Sequence, residues 1–371
     1  MLGIQRRILI RVVVISIVLS IIGLGFSHLL SISEGGSLWS SSNYWRYKAL
    51  PLHHPNPNFR SAFVTFTKGN SEALTDLRFT IRELQDRFNH NHGYPYIIFT
   101  DEHLNDKFKE SVSVLTNYNV QFERLDKQMY GYPSFIDRKK AEQTRMEMKE
   151  KGVIYGDSED YRFQTRFFSG LIFTHPALEN LDYYWRFEPS TEYPCDIKFD
   201  PFQYMKDHGK KLSFSISLYE YSETIPTLYS TFQQYARNHP GEIYHETEPD
   251  SLWSFITDSS TDSYNNCHFW SSFQIADLNF FKSEQYLDYF NYIDKSGGIF
   301  YERWADPVIH TLGATLFLTK KDIQFWDNIC YRVAGIFTHC PADKSIWASG
   351  TCRHEQNFDN QEYSCLRFFN S

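Results

Sequence analysis

An open sheet of mainly parallel strands with helices on both faces is the fold class that this sequence predicts. Two observations predict it. The run Ser61-Ala-Phe-Val-Thr-Phe-Thr67, followed by Gly69, and the run Tyr96-Ile-Ile-Phe-Thr100, ending at Asp101-Glu102, are rich in β-branched and aromatic residues and read as strands. Between them Leu74, Leu77, Ile81, Leu84 and Phe88 recur at helical spacing, so a long amphipathic helix joins the two. Phosphate-bearing ligands of such sheets sit at the carboxyl ends of the strands.

The later elements follow from the same patterns. Ala141–Lys151 reads as a helix, and Tyr183–Phe187 and Leu212–Leu218 as strands. Asp288–Lys295 and Asp306–Phe317 read as helices. There is no internal repeat. Neither GxGxxG nor GxxxxGK[ST] occurs, so dinucleotide-fingerprint and P-loop readings have no support. Hydrophobic residues make up 42% of the chain and aromatic ones 18%, which is enough for a large core. The rings read first as core and second as sugar platforms. With a net charge of −8, nothing in the sequence reads as a nucleic-acid footprint, which needs Lys and Arg clustered on one face.

Ahead of the first strand the composition changes. Arg6, Arg7 and Arg11 precede an uncharged apolar stretch, Val12–Leu30. At 1.5 Å per residue it spans roughly 28 Å, close to the hydrocarbon thickness of a bilayer. The poor small-x-small site after it argues against a cleaved signal peptide. The expected organisation is a cytoplasmic tail over 1–11, a transmembrane signal anchor over 12–30 and a Ser-, Gly- and Pro-rich stem over 31–59. A luminal domain follows over 60–371. The six cysteines contain no CxxC pair, so a zinc ribbon is not expected, and in an oxidising lumen they would form disulfides. No Asn-x-Ser/Thr sequon is present.

Three clusters could carry chemistry. In Tyr184-Trp-Arg-Phe-Glu-Pro-Ser190 a strand stops at Pro189 with the Glu188 carboxylate at its mouth. That carboxylate could bind a divalent cation on a diphosphate or could simply pair with an arginine. In Cys267-His-Phe-Trp-Ser-Ser-Phe-Gln-Ile275 the histidine and rings could line a sugar pocket or belong to the core. In Gly297-Gly-Ile-Phe-Tyr-Glu-Arg-Trp-Ala-Asp306 a tight Gly-Gly turn precedes Glu302, Arg303 and Asp306 at a helix start, with His310 four residues on. Those residues could recognise hydroxyl or phosphate groups, or cap and pair at the surface.

These clusters resemble the fungal α-1,2-mannosyltransferases of glycosyltransferase family 15. The likeness runs from about Ser61 to Pro341 and includes Lys149-Glu-Lys-Gly-Val-Ile-Tyr-Gly156, Tyr183-Tyr-Trp-Arg-Phe-Glu-Pro189, Cys267-His-Phe-Trp-Ser271 and Phe300-Tyr-Glu-Arg-Trp304. The resemblance implies a GT-A-like open mixed sheet in a Golgi type II membrane protein. It implies retaining transfer of mannose from GDP-mannose to a mannose 2-hydroxyl of a glycoprotein glycan, with Mn2+ on the diphosphate. Glu188 then matches the metal-site carboxylate and Tyr161 a tyrosine near the acceptor. Arg303 and Asp306 match the polar cluster after the Gly-Gly turn. Cys267 and Cys340, both in matching segments, are expected in disulfides.

Two positions depart from the family pattern. The proposed nucleophilic glutamate of the family is here Gln274, and an amide cannot trap an oxocarbenium centre covalently. The family's metal-binding histidine falls on Val333 or Ala334, depending on whether one counts from Tyr331 or from Cys340. His339 is the only nearby imidazole and the candidate substitute ligand, so Mn2+ is expected to bind weakly. Ser190 replaces the commoner acid of the Glu-Pro motif. Three functions follow: an active mannosyltransferase, a weak or inactive relative that binds sugar or scaffolds other transferases, and a glycoside hydrolase using Glu188 and Glu302.

Overall fold

The computed structural model describes residues 55–370 apart from 242, 244–246, 249, 259–262, 334 and 349. The predicted anchor, most of the stem and Ala334 lie outside the described residues. Among the described residues no helix is long and apolar enough to cross a membrane.

A seven-stranded sheet organises the domain. Its strands are β1 (Ser61–Phe66), β2 (Tyr96–Thr100), β3 (Val120–Arg124), β4 (Tyr183–Phe187), β5 (Leu212–Phe214), β6 (Phe273–Asp277) and β7 (Ile323–Phe325), in the spatial order β7-β5-β6-β4-β1-β2-β3. β3, β2, β1 and β4 are mutually parallel, as are β5 and β7. β6 runs antiparallel between β4 and β5. Only β6 departs from the common strand direction, so the sheet is mainly parallel and mixed, as expected, and the amino end of β6 lies beside the carboxyl end of β4.

Side chains alternate between two buried layers, as a strand's period of two requires. Phe63, Tyr96, Trp185 and Phe273 face one layer, where Phe63 lies 4.9 Å from Tyr96 and 5.1 Å from Trp185 between ring centroids. The helices Ser71–Arg87, Asp106–Ser113 and Pro201–Asp207 cover this layer with Leu77, Ile81, Leu84, Phe108 and Phe202. Val64, Phe99, Tyr184 and Ala276 face the other layer, under the helices Glu159–Ser169, Leu228–Asn238, Glu284–Ser296 and Asp306–Phe317. The aromatic excess is thus chiefly core.

Most predicted elements form, with shifted ends. The Ala141 helix starts at Arg138 because Asp137 caps it, and the Asp288 helix starts at Glu284 because Ser283 caps it. The expected strand Leu212–Leu218 is two strands. Leu212–Phe214 stays in the main sheet, and after Ser215-Ile216 the run Ser217–Tyr219 pairs instead with Cys267–Phe269. The helix Glu159–Ser169, capped by Ser158, has few apolar residues in its first turn and escapes the periodicity argument.

Three disulfides close the fold: Cys195–Cys330, Cys267–Cys365 and Cys340–Cys352. Cys267 and Cys340 are both bridged, as expected. The sulfurs of Cys195, Cys330 and Cys352 lie within 4.8 Å of one another, but bridging consumes the thiolates a metal would need.

The Gly-Gly pair has two separate jobs. Gly297 has φ 80° and ends the Glu284–Ser296 helix in the left-handed region. Gly298 opens the short helix Gly298–Tyr301, and a Cβ there would come within 2.1 Å of the Trp304 indole. That close approach seats Trp304 and so fixes Arg303 and Asp306 on either side of it. Gly298→Ala should therefore destabilise the domain by roughly 1–3 kcal/mol through overpacking. Urea denaturation of the purified domain checks this, and an unchanged midpoint would show that Trp304 relaxes freely.

Candidate active site

The site grows from one charged residue in an apolar strand. Arg186, on β4, is 5% exposed and stands in register between Val64 on β1 and Gln274 on β6. A buried guanidinium is costly unless its donors and charge are met. Here Nε and Nη2 donate to Glu188 Oε1 at 3.1 and 2.6 Å. Nη1 donates to Ser271 Oγ at 3.1 Å and to Asp306 Oδ2. Ser271 donates to the same Asp306 oxygen at 2.5 Å, and the guanidinium carbon lies 3.7 Å from the centroid of the Phe168 ring. Burial alone would lower the Arg186 pKa, but Asp306 and Glu188 outweigh it and keep the group a cation. Burial pushes the Glu188 carboxyl upward against the pull of Arg186.

Asp306 reaches this point because it occupies the first turn of its helix, ahead of Pro307. Three residues before it, Arg303 is 3% exposed and donates from Nη1 to the Tyr161 hydroxyl at 3.0 Å and from Nη2 to Glu220 Oε1 at 2.9 Å. Its Nε is buried and meets no partner among the described residues. Burial raises the Tyr161 pKa to about 12, with Arg303 opposing, so Tyr161 is a neutral phenol at physiological pH. Arg162 binds the two segments together: its guanidinium donates to the carbonyls of Tyr155 and Ser158 at 3.1 and 2.8 Å and to that of Glu302 at 3.0 Å.

Gln274 is 1% exposed and accepts a hydrogen bond from the Tyr184 hydroxyl, whose pKa burial raises. A neutral amide on a neutral phenol offers polarity without acid–base chemistry. At the carboxyl ends of β1 and β2, Lys68 bridges Asp101 and Asp160 at 2.8 and 2.5 Å, and Tyr130 donates to Asp160 at 2.8 Å.

Of the residues expected from sequence, Glu188 and Asp306 meet on Arg186, Gln274 is the cross-strand neighbour of Arg186, and Tyr161 and Arg303 touch each other. Arg303 and Asp306 are buried, so surface pairing does not explain them. His339 is elsewhere engaged. It is fully buried, with Nδ1 2.7 Å from Asp359 Oδ2 and its ring 5.3 Å from that of Phe325. Val333 pairs across the strands with Thr191, whose hydroxyl donates to the Glu188 carbonyl at 2.7 Å. His268 is buried at 5%, and burial lowers its pKa. Sequence reasoning left out Arg186, Ser271, Glu220 and Lys68. The signal for Arg186 was available, since it is the one charge inside the apolar run Tyr183–Phe187.

An open α/β sheet with a buried, charge-paired polar floor at its carboxyl edge is the framework of an enzyme that handles a polar, anionic ligand. Comparison with known proteins narrows this. A family model described as glycolipid 2-α-mannosyltransferase matches residues 42–371. O-glycoside α-1,2-mannosyltransferase omh1 of Schizosaccharomyces pombe is 38% identical over 315 residues, covering 85% of this chain and 79% of that one. α-1,2 mannosyltransferase KTR1 of Saccharomyces cerevisiae is 39% identical over 335 residues, covering 89% and 84%. The crystal structure of core-mannan synthase A from Aspergillus fumigatus in its Mn/GDP form superposes with a TM-score of 0.78 at 28% identity, covering 91% of each chain. The chain belongs to the glycolipid 2-α-mannosyltransferase family, a family of glycosyltransferases.

His310, one turn beyond Asp306, is 1% exposed, with Nε2 2.9 Å from the Phe168 carbonyl oxygen. Burial lowers its pKa to about 4. The unfolded chain takes up this proton near the ordinary value of about 6.5, so the stability His310 confers is complete above that pH and is lost as pH falls through about 4. At pH 5 the loss should be roughly 2 kcal/mol relative to pH 7. The pH dependence of unfolding should be flatter in His310→Gln by that amount, and equal profiles would mean that His310 ionises freely in the folded state.

Proposed function

We propose that this chain is a retaining α-1,2-mannosyltransferase that moves mannose from GDP-mannose to a mannose hydroxyl of a glycoprotein glycan. The observation that carries the proposal is the pair of linked clusters, Glu188–Arg186–Asp306 and Tyr161–Arg303–Glu220, at the carboxyl edge of the sheet in a chain of this family. The fold is read as GT-A-like. Glu188 is the metal-site carboxylate. Both Arg186 bonds use its Oε1, which leaves Oε2 as one hard oxygen donor suited to Mn2+. When bound, the cation would neutralise the diphosphate leaving group. With Val333 or Ala334 in the family's histidine position and His339 committed to Asp359, the remaining donors would be water and diphosphate oxygen.

Arg303, whose Nη1 holds the Tyr161 hydroxyl at 3.0 Å, and the neutral Tyr161 together orient sugar hydroxyls. In the transfer, the bond from mannose C1 to the diphosphate oxygen breaks, and the acceptor 2-oxygen bonds to C1 on the same face. The hydroxyl proton passes to the departing diphosphate. No enzymic nucleophile is consumed, so an amide at Gln274 is compatible with turnover.

The same proposal sets the topology: tail 1–11, anchor 12–30, stem 31–59 and luminal domain 60–371 in the Golgi membrane. Three disulfides suit an oxidising lumen.

Titrating manganese into the luminal domain with GDP-mannose, by calorimetry, tests the metal site. Donor binding should require high manganese. Glu188→Ala should abolish it, and Val333→His should tighten manganese by roughly 10-fold or more, the scale on which ligand-shell changes act. Donor binding by Glu188→Ala equal to the parent's would make Glu188 a structural carboxylate. Transfer of labelled mannose from GDP-mannose to α-methyl mannoside should be detectable. Donor binding without transfer would instead indicate a sugar-binding relative.

A further inference from the structure

Tyr155 is held in a conformation that its side chain does not favour. Its φ is +55°, in the left-handed region where a bulky residue is uncommon. Backbone bonds fix it there: its carbonyl accepts from Arg162 Nη1 at 3.1 Å and from the Ser158 N–H at 3.2 Å, and the Gly156 N–H donates to the Val153 carbonyl at 2.8 Å. Strain of this kind persists only where surrounding structure over-determines it, and it gathers at functional positions. The result is a residue 56% exposed to solvent, the inner face of whose ring stacks on Tyr161, with centroids 4.8 Å apart and planes 6° from parallel.

Tyr161 in turn meets Arg303, and Arg303 meets Glu220, whose Oε1 also accepts from the backbone N–H of Tyr221 at 2.9 Å. Tyr221 is 55% exposed. The polar row of the site therefore begins at one exposed tyrosine and ends beside another. An aromatic face fixed in water next to hydroxyl-binding groups suits a pyranose, whose C–H face stacks on the ring while its hydroxyls stay polar.

We propose that Tyr155 is a platform for a second sugar ring of the acceptor, the one adjoining the ring that bears the reacting hydroxyl. The proposal rests on the mannosyltransferase reading and adds to it a preference for an oligosaccharide over a single sugar. Tyr155 acts here as a binding residue and takes no part in bond making.

The test measures binding of α-methyl mannoside and of α-1,2-mannobiose to the luminal domain by ligand-observed NMR, with GDP and manganese present. Parent, Tyr155→Phe, Tyr155→Ala and Tyr155→Gly are compared. The parent should prefer the disaccharide, and Tyr155→Phe should keep that preference. Tyr155→Ala and Tyr155→Gly should each weaken the disaccharide by roughly 3- to 10-fold, the scale of one ring–ring contact, and leave the monosaccharide unchanged. Glycine relieves the positive φ and alanine does not, so a loss common to both belongs to the ring. In a transfer assay the loss should appear in KM rather than kcat. Equal weakening of both sugars would make Tyr155 only a buttress of Tyr161. No weakening of either would leave the exposed Ile154–Tyr155 surface to a protein partner, and both results overturn the platform. A parent that binds neither sugar overturns the mannosyltransferase reading as well.

Discussion

A buried cation that cannot be left alone sets the constraint from which the site follows. Arg186 lies in the middle of a sheet whose neighbouring positions are Trp185, Phe187 and Val64, and its charge must be met within a few ångströms or it destabilises the fold. Glu188 meets it from its own chain two residues on. Asp306 meets it from a helix start 120 residues away, and Ser271 Oγ accepts from the same Nη1. One guanidinium therefore draws the end of β4, the approach to β6 and the amino end of the Asp306–Phe317 helix to one point. Truncating it would leave two carboxylates facing each other.

The rest of the architecture serves that convergence. Phe63, Tyr96, Trp185 and Phe273 lock the register of β1, β2, β4 and β6 on one layer, so the strand ends are staggered reproducibly. On the other layer the Asp306–Phe317 helix is buried almost all round, which its apolar sequence permits. Thr311 and Thr315 return their hydroxyls to the helix's own carbonyls at 2.8 and 3.0 Å, and Thr311 also accepts from the Phe269 N–H. Gly298 and Trp304 set the approach to that helix. Burial keeps His310 neutral and moves the already neutral phenols of Tyr161 and Tyr184 further from ionisation, so the charge at the site is carried by arginines and carboxylates.

Much of this was legible in the chain. Strands at Ser61–Phe66, Tyr96–Thr100 and Tyr183–Phe187 carry runs of mainly apolar and aromatic residues, with Arg186 the one charge among them, because buried parallel strands present apolar side chains on both faces. Glu188 was legible because Pro189 marks the strand's end. What escaped was long-range. Nothing local in Phe273–Asp277 says that it runs antiparallel between two strands, and nothing in Leu212–Leu218 says that the chain changes sheets at Ser215. Tyr161 was placed by resemblance alone, since Glu159–Ser169 begins with charges and its helix is fixed by a Ser158 cap. Proximity in sequence makes His339 the candidate substitute ligand, but strand pairing turns it toward Asp359.

A double-mutant cycle on Arg186 and Asp306 tests the central claim most directly. Unfolding free energies of Arg186→Met, Asp306→Asn and the combined variant would be compared with the parent. If one buried ion pair organises the site, each single change costs roughly 3–5 kcal/mol, because it leaves the partner's charge unpaired. The combined variant then falls short of the sum by roughly 2 kcal/mol or more. Losses that add to within about 0.5 kcal/mol would show that Arg186 and Asp306 act independently, and would contradict the account.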